Sequence, residues 1–506
     1  MTNPLFDTLL APHLGSDAPF VIHPDGTTQT YGAFMINVNR AAGALAQCGL
    51  RKGDRLALQA EKSVEVLEIY AACLMTGVLF LPLNTGYTAE EIDYFLGDAE
   101  AGAFICSPSR EAEFAPIAAR HNTKLLTLSK SGSGSFSDIA RACAPLETAV
   151  ACGPDDIAAL LYTSGTTGRS KGAMLTHANL LSNAEVLVDL WQITQSDRLL
   201  HALPVFHAHG LFVAVNTTWL SGSSMIFHPA FNIDNALAAL PQASTMMGVP
   251  TFYTRLLDDA RFGKEVVGNM RLFISGSAPL LAETHAQFEE RSGHRILERY
   301  GMTETGMNTS NPVAGERRAG TVGHPLPGVT LRITDPATGA AVAQGDIGMI
   351  EVAGSNVFQG YWRMPEKTAE ELRADGFLIT GDLGRIDDEG YVHIVGRSKD
   401  LIISGGYNVY PKEVEMVIDD VHWVRESAVI GAPHPDFGEG VVAVVVLVAG
   451  AAADMVALTE VISTRLAKFK QPKKIIVTEA LPRNTMGKVQ KNVLRDLHRD
   501  LFARKA

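Results

Sequence analysis

Short apolar runs alternate with helix-length amphipathic segments along most of this chain. Beginning at residue 55, an apolar run at 55–60 is followed by a helical pattern at 63–75, an apolar run at 78–83, a helical pattern at 89–99 and an apolar run at 101–106. Strands and helices in this rhythm predict parallel sheets covered by helices. The rhythm returns with apolar strands near 199–203, 224–227, 245–248 and 272–275. Between 328 and 403 it gives way to short alternating strands with Gly and Asp turns, such as DDEG at 387–390, which predicts a β-rich subdomain. A polar, glycine-rich stretch at 396–411 then precedes a fresh α+β pattern, with helices at 412–419 and 455–467 and strands at 427–430 and 441–448. The expected fold is α/β. A large N-terminal domain, residues 1–396, carries mainly parallel sheets flanked by helices plus the β-rich subdomain, and residues 397–506 form a small α+β C-terminal domain.

Composition narrows the classes of function. A chain of 506 residues exceeds one ordinary core. A formal net charge of -12 argues against a nucleic-acid or anionic-membrane partner, so any bound anion must be held by local donors. The five cysteines, at 48, 73, 106, 143 and 152, form no C-x-x-C pair and fit neither a zinc site nor a disulfide framework, which suits a reducing cytoplasm. The opening MTNPLF lacks the basic-then-apolar pattern of a secretory signal. The most apolar run, 441–448, is β-branched and far shorter than the ~20 residues that span a bilayer, so it reads as a buried strand.

The segment LYTSGTTGRSKG at 161–172 carries the strongest chemical signal. An apolar strand runs into hydroxyls, glycines and Lys171, a composition that turns successive N–H groups toward an anion. It lacks the Gly-Lys-Ser/Thr ending of a Walker A loop and the G-x-G-x-x-G spacing of dinucleotide sites, yet a nucleoside triphosphate suits it. YGMTET at 300–305 offers Glu304 for a divalent ion. TGD at 380–382 and the Gly396-Arg397 pair offer a carboxylate and a guanidinium to vicinal hydroxyls. PRNTMGKVQK at 482–491 presents Lys488 on a glycine turn, a cation able to reach charge developing during attack.

With these motifs in place, the chain resembles the adenylate-forming superfamily of acyl-CoA synthetases, luciferases and adenylation domains. The resemblance implies that Thr163, Ser164, Gly165, Thr166, Thr167, Gly168 and Lys171 bind the ATP phosphates, and that Gly276, Ala278, Tyr300 and Gly301 also bind ATP or AMP, with Tyr300 stacked on the adenine. It assigns Thr303 to phosphate, Glu304 to Mg²⁺, Asp382 and Arg397 to ribose, and Lys488 to catalysis of adenylation. It makes the small domain mobile about a hinge at Lys399 and puts Gly405 and Gly406 beside the CoA channel. The implied reaction is ping-pong: a carboxylate attacks the α-phosphorus of Mg-ATP to give acyl-AMP and pyrophosphate, then CoA takes the acyl group and AMP leaves. An exposed lysine at 488 is also a candidate for a lysine acetyltransferase.

The acid is indicated by arginines. Arg299 ends what should be an interior strand, Arg255 lies nearby in VPTFYTR at 249–255, and unpaired buried guanidinium groups are costly. Two arginines suit a second carboxylate on the substrate. The motif context resembles malonyl-CoA synthetases, which implies that Arg255, Arg299 and Ser277 hold the distal carboxylate of a small dicarboxylate and that His207, in PVFHAHG at 204–210, gates the acyl pocket. Malonate, with methylmalonate beside it, is the expected acid. A synthetase for another small acid, an adenylation enzyme loading a carrier protein and a nonenzymatic nucleotide sensor are the alternatives.

Overall fold

The computed structural model describes residues 2–163, 170–404, 407–484 and 487–502. Four sheets organise it. The first is six-stranded, in the order Lys124–Thr127, Ala103–Cys106, Arg55–Gln59, Leu79–Pro82, Ile157–Thr163, Lys171–Thr176. All its pairings are parallel except the last, where Thr163 sits opposite Lys171. The glycine-rich segment therefore joins two antiparallel strands. Its residues Ser164, Gly165, Thr166, Thr167 and Gly168 lie outside the described residues, as do Gly405 and Gly406.

The second sheet has nine strands, and its centre is the parallel run Leu297–Met302, Leu272–Ser275, Thr245–Gly248, Arg198–His201, Ser224–Phe227, Pro19–Ile22. Strands covered on both faces read as continuous apolar runs. Ser224–Phe227 and Leu272–Ser275 are buried at all four positions. Helices between the strands start and stop on local signals. Thr88 and Glu91 form a capping box at the start of Ala89–Ala99, and Val64–Thr76 ends at Gly77 with φ 70°.

Residues 329–397 form a four-stranded antiparallel sheet, the β-rich subdomain. The small domain follows, with helices Pro411–Asp419 and Met455–Arg465 and a five-stranded sheet centred on Gly438–Leu447, where positions 440–446 are buried. Its core, built on Val414, Trp423, Val441 and Leu458, is distinct from those of the large domain. No helix among the described residues is long and apolar enough to cross a membrane.

Candidate active site

The parallel strands of the second sheet bring their carboxyl ends to one edge, where open α/β sheets bind ligands. The chain leaves strand Leu272–Ser275 through Gly276 and Ser277, directly beside Arg299 of the next strand. A Cβ at Gly276 would fall 2.4 Å from Arg299 Cζ, so the guanidinium lies flat on a backbone that only glycine provides. Ser277 takes φ 70°, a left-handed conformation that few non-glycine residues adopt. Its Oγ is 3.2 Å from His209 Nδ1.

Arg299 is only 4% exposed, and its Nε and one terminal nitrogen have no hydrogen-bond partner among the described residues. Burial brings its pKa down to about 10. It does not pair with Glu298. Neighbours on a strand face opposite ways, and Glu298 lies near Gly320, Leu280 and Lys412, with its carboxyl pushed up to about 8 by burial. Arg255 is not part of this buried group. It is exposed on helix Pro250–Asp258, whose inward side chains are Tyr253 and Leu256. The expectation was that Arg255 and Arg299 together hold a distal carboxylate; of the two, Arg299 alone is buried.

His207 and His209 flank Ala208 where the chain enters a π-helical turn, His209–Val213. Both have an Nε2 that is buried without a partner among the described residues. Burial lowers the pKa of His207 to about 4 and that of His209 well below the ordinary range, with Arg299 adding to the latter. Both rings are therefore neutral at physiological pH.

Glu304 sits at the tip of a hairpin. Strand Leu297–Met302 pairs antiparallel with Gly306–Ser310, Met302 lies opposite Gly306, and Thr303, Glu304 and Thr305 form the three-residue tip. Gly306 at φ 60° supplies the left-handed position such loops need. Gly301 packs so closely that an added Cβ would fall 2.0 Å from Gly306 O. The Glu304 carboxylate is buried, which raises its pKa, and its Oε1 lies 2.9 Å from Tyr361 Oη. The same tyrosine donates to Glu371 Oε2 at 2.6 Å, while Glu371 Oε1 holds Lys171 Nζ at 2.9 Å. Lys171 also lies 4.1 Å from the centre of the Tyr361 ring. A magnesium ion takes one or two carboxylates and fills its shell with phosphate and water, so a buried carboxylate oxygen near Lys171 fits it.

Tyr300 Oη lies 2.6 Å from Asp382 Oδ2, and Arg397 Nε lies 3.0 Å from Oδ1 of the same carboxylate. Lys399 is two residues beyond Arg397, in the short turn Ser398–Asp400 that joins the two domains. The small domain is docked so that Lys488 enters this cluster. Burial lowers its pKa to about 8, with Arg397 and Lys399 opposing its charge and Asp382 and Asp400 favouring it. Asn484 Oδ1 accepts from Lys488 N at 2.9 Å, and a Cβ at Gly487 would lie 3.2 Å from Thr251 of the large domain.

The structure thus gathers Tyr300, Asp382, Arg397 and Lys488 into one cluster, links Lys171 to Glu304 through Glu371 and Tyr361, and sets Arg299 against the Gly276–Ser277 backbone. Sequence reasoning missed Tyr361, Glu371 and His209. Nothing in QGYWRMPEKTAEE at 359–371 signals by itself that it meets Lys171 and Glu304.

A parallel-sheet crevice capped by a small domain, with a Thr-Glu hairpin tip, a Gly-Asp strand and an inserted lysine, defines an adenylate-forming enzyme. Family matches agree: the AMP-binding enzyme family covers residues 11–362 and its C-terminal domain family covers 413–488, so the chain belongs to this family. It is similar to ATP-bound MatB from Rhodopseudomonas palustris at 54% identity, covering 99% of this chain and 100% of that one with a TM-score of 0.97. The apo form of that protein aligns at 0.87. Among curated relatives, a feruloyl-CoA synthase of Amycolatopsis sp is 37% identical over 475 residues, 93% of this chain and 94% of that protein. A malonate–CoA ligase of Arabidopsis thaliana is 33% identical over 480 residues, 88% of this chain and 78% of that protein.

Proposed function

We propose that this chain is an ATP-dependent acid–CoA ligase whose acid is malonate, forming malonyl-AMP and pyrophosphate and then malonyl-CoA and AMP. The observation that carries the choice of acid is Arg299, a buried guanidinium with two nitrogens lacking acceptors among the described residues. Leaving such a charge unpaired costs several kcal/mol, and a second carboxylate on the substrate relieves the cost. The Ser277 hydroxyl and the neutral His209 imidazole beside it supply further hydrogen bonds at the same end. A ferulate-sized aromatic acid brings no distal anion and leaves the Arg299 donors unpaired. Sequence identity alone does not choose, since the curated relatives above act on ferulate in one case and malonate in the other.

In this reading the substrate spans the site with its distal carboxylate on Arg299 and its reacting carboxylate toward Lys488. The reacting carboxylate is itself the nucleophile, so positioning and charge stabilisation carry the rate. Lys488 stabilises charge at the carboxylate and α-phosphate, Asp382 and Arg397 orient the ribose, and Thr303 and Lys171 hold phosphate oxygens. Glu304 holds magnesium, which supplies charge neutralisation on the phosphates when bound. Closer agreement with ATP-bound than apo MatB supports reading the docked small domain as the arrangement for adenylation. Rotation about Lys399 then withdraws Lys488 and brings the segment containing Gly405 and Gly406 to the acyl-AMP for attack by CoA.

Malonate-dependent ATP–pyrophosphate exchange in the absence of CoA tests the first half-reaction. Exchange with malonate and not with ferulate or acetate is expected; exchange supported equally by acetate overturns the choice of acid.

A further inference from the structure

A hydrogen-bonded pair outside the residues assigned above connects to the turn that carries His209. Lys62 stands in the loop just before helix Val64–Thr76 of the first sheet's layer. Its Nζ lies 2.8 Å from His201 Nδ1 and 3.0 Å from His201 O, and 4.2 Å from the centre of the Phe227 ring. His201 closes strand Arg198–His201 and is 1% exposed, and its Nε2 lies 2.8 Å from the carbonyl of Gly210. The Gly210 carbonyl can only accept, so Nε2 carries the proton and donates to it, and Nδ1 of the neutral ring accepts from Lys62. The ring is neutral and held in one tautomer. Burial and the Lys62 charge both hold the His201 pKa well below the ordinary range, in agreement with that protonation.

Gly210 belongs to the π-helical turn His209–Val213. Such turns are rare and occur frequently at functional sites. Here the turn is packed so tightly that a Cβ at Gly210 would fall 2.0 Å from Pro204 O. The residue before Gly210 is His209, whose ring meets Ser277. The pair therefore ties the first sheet's layer, through a strand end of the second sheet, to the backbone that aims His209.

We propose that Lys62 and His201 are positioning residues for acid binding: they fix the Gly210 carbonyl, and through it the π-turn that holds His209 against Ser277. The inference rests on the reading above in placing the acid beside Ser277 and His209. It does not depend on which acid that is.

The test compares Lys62→Met, His201→Leu and His201→Gln with the unaltered enzyme, using whichever acid the unaltered enzyme turns over best. Failure of the malonate reading then changes the acid and leaves this test intact. Lys62→Met and His201→Leu are expected to raise KM for the acid about tenfold or more, as a displaced binding group does, while KM for ATP stays within about twofold. In His201→Gln the amide N–H still donates to Gly210 O and its carbonyl still accepts from Lys62, so acid KM is expected within about threefold of the original. Circular dichroism and thermal unfolding accompany each variant, and Lys62→Met serves should His201→Leu fail to fold. Unchanged acid KM in Lys62→Met, or equal losses for acid and ATP in all three variants, overturns the proposal.

Discussion

Replacing Arg299 by Met separates the two consequences of a buried, unpaired guanidinium. Met matches the aliphatic stem and removes the charge. If two N–H donors of Arg299 meet the distal carboxylate, each charge-assisted bond contributes about 1.5–3 kcal/mol. Their loss removes about 3–6 kcal/mol, which is roughly a 10²–10⁴-fold fall in kcat/KM for malonate. The folded protein without substrate moves the other way. Its buried Arg299 has no ion pair among the described residues and two orphaned nitrogens, so an apolar replacement stabilises by about 1–4 kcal/mol. Steady-state AMP release with varied malonate measures the first effect, and urea unfolding without ligands measures the second. Lost malonate activity with retained or increased stability is expected. A variant with normal malonate kinetics, or one that unfolds at distinctly lower urea, would refute the reasoning, because the guanidinium would then be serving the fold.

Three further outcomes follow from the same geometry. Gly276→Ala sets a Cβ 2.4 Å from Arg299 Cζ, so KM for malonate is expected to rise about tenfold or more, read in the same AMP assay. Tyr361→Phe removes the hydroxyl shared by Glu304 and Glu371, each at 2.9 Å or less, and is expected to weaken ATP binding by about 1–1.5 kcal/mol in KM for ATP while malonate KM holds. Lys488→Met is expected to lower pyrophosphate exchange by about 10²–10³-fold and to spare thioester formation from supplied malonyl-AMP. Because the Lys488 pKa is lowered to about 8 in the docked arrangement, its charged form is lost as pH rises through that value, and exchange should decline there while thioester formation does not follow the same titration.

The parallel architecture was legible because doubly covered strands are written as unbroken apolar runs; residues 224–227 and 272–275 coincide with strands in the structure. The hairpin tip at Glu304 was legible as a motif, and Gly306 marks its turn. Contacts between distant segments were not. Tyr361 reaches Glu304 across 57 positions and Lys171 reaches Glu371 across 200, and no local pattern encodes either. Arg255 and Arg299 looked alike as sequence neighbours of the pocket. A strand buried on both faces encloses Arg299, whereas a helix with one inward face turns Arg255 out. The resemblance pointed to His207 as the gate, and only the folded chain makes clear that His209 is the imidazole that meets Ser277.

The central claim is tested most directly by AMP release from the purified protein with Mg-ATP and CoA, comparing malonate, methylmalonate, succinate, acetate and ferulate, with the thioester identified by mass. The account predicts malonyl-CoA as the best product and little turnover of acetate or ferulate. Ferulate or acetate used as well as malonate would contradict it.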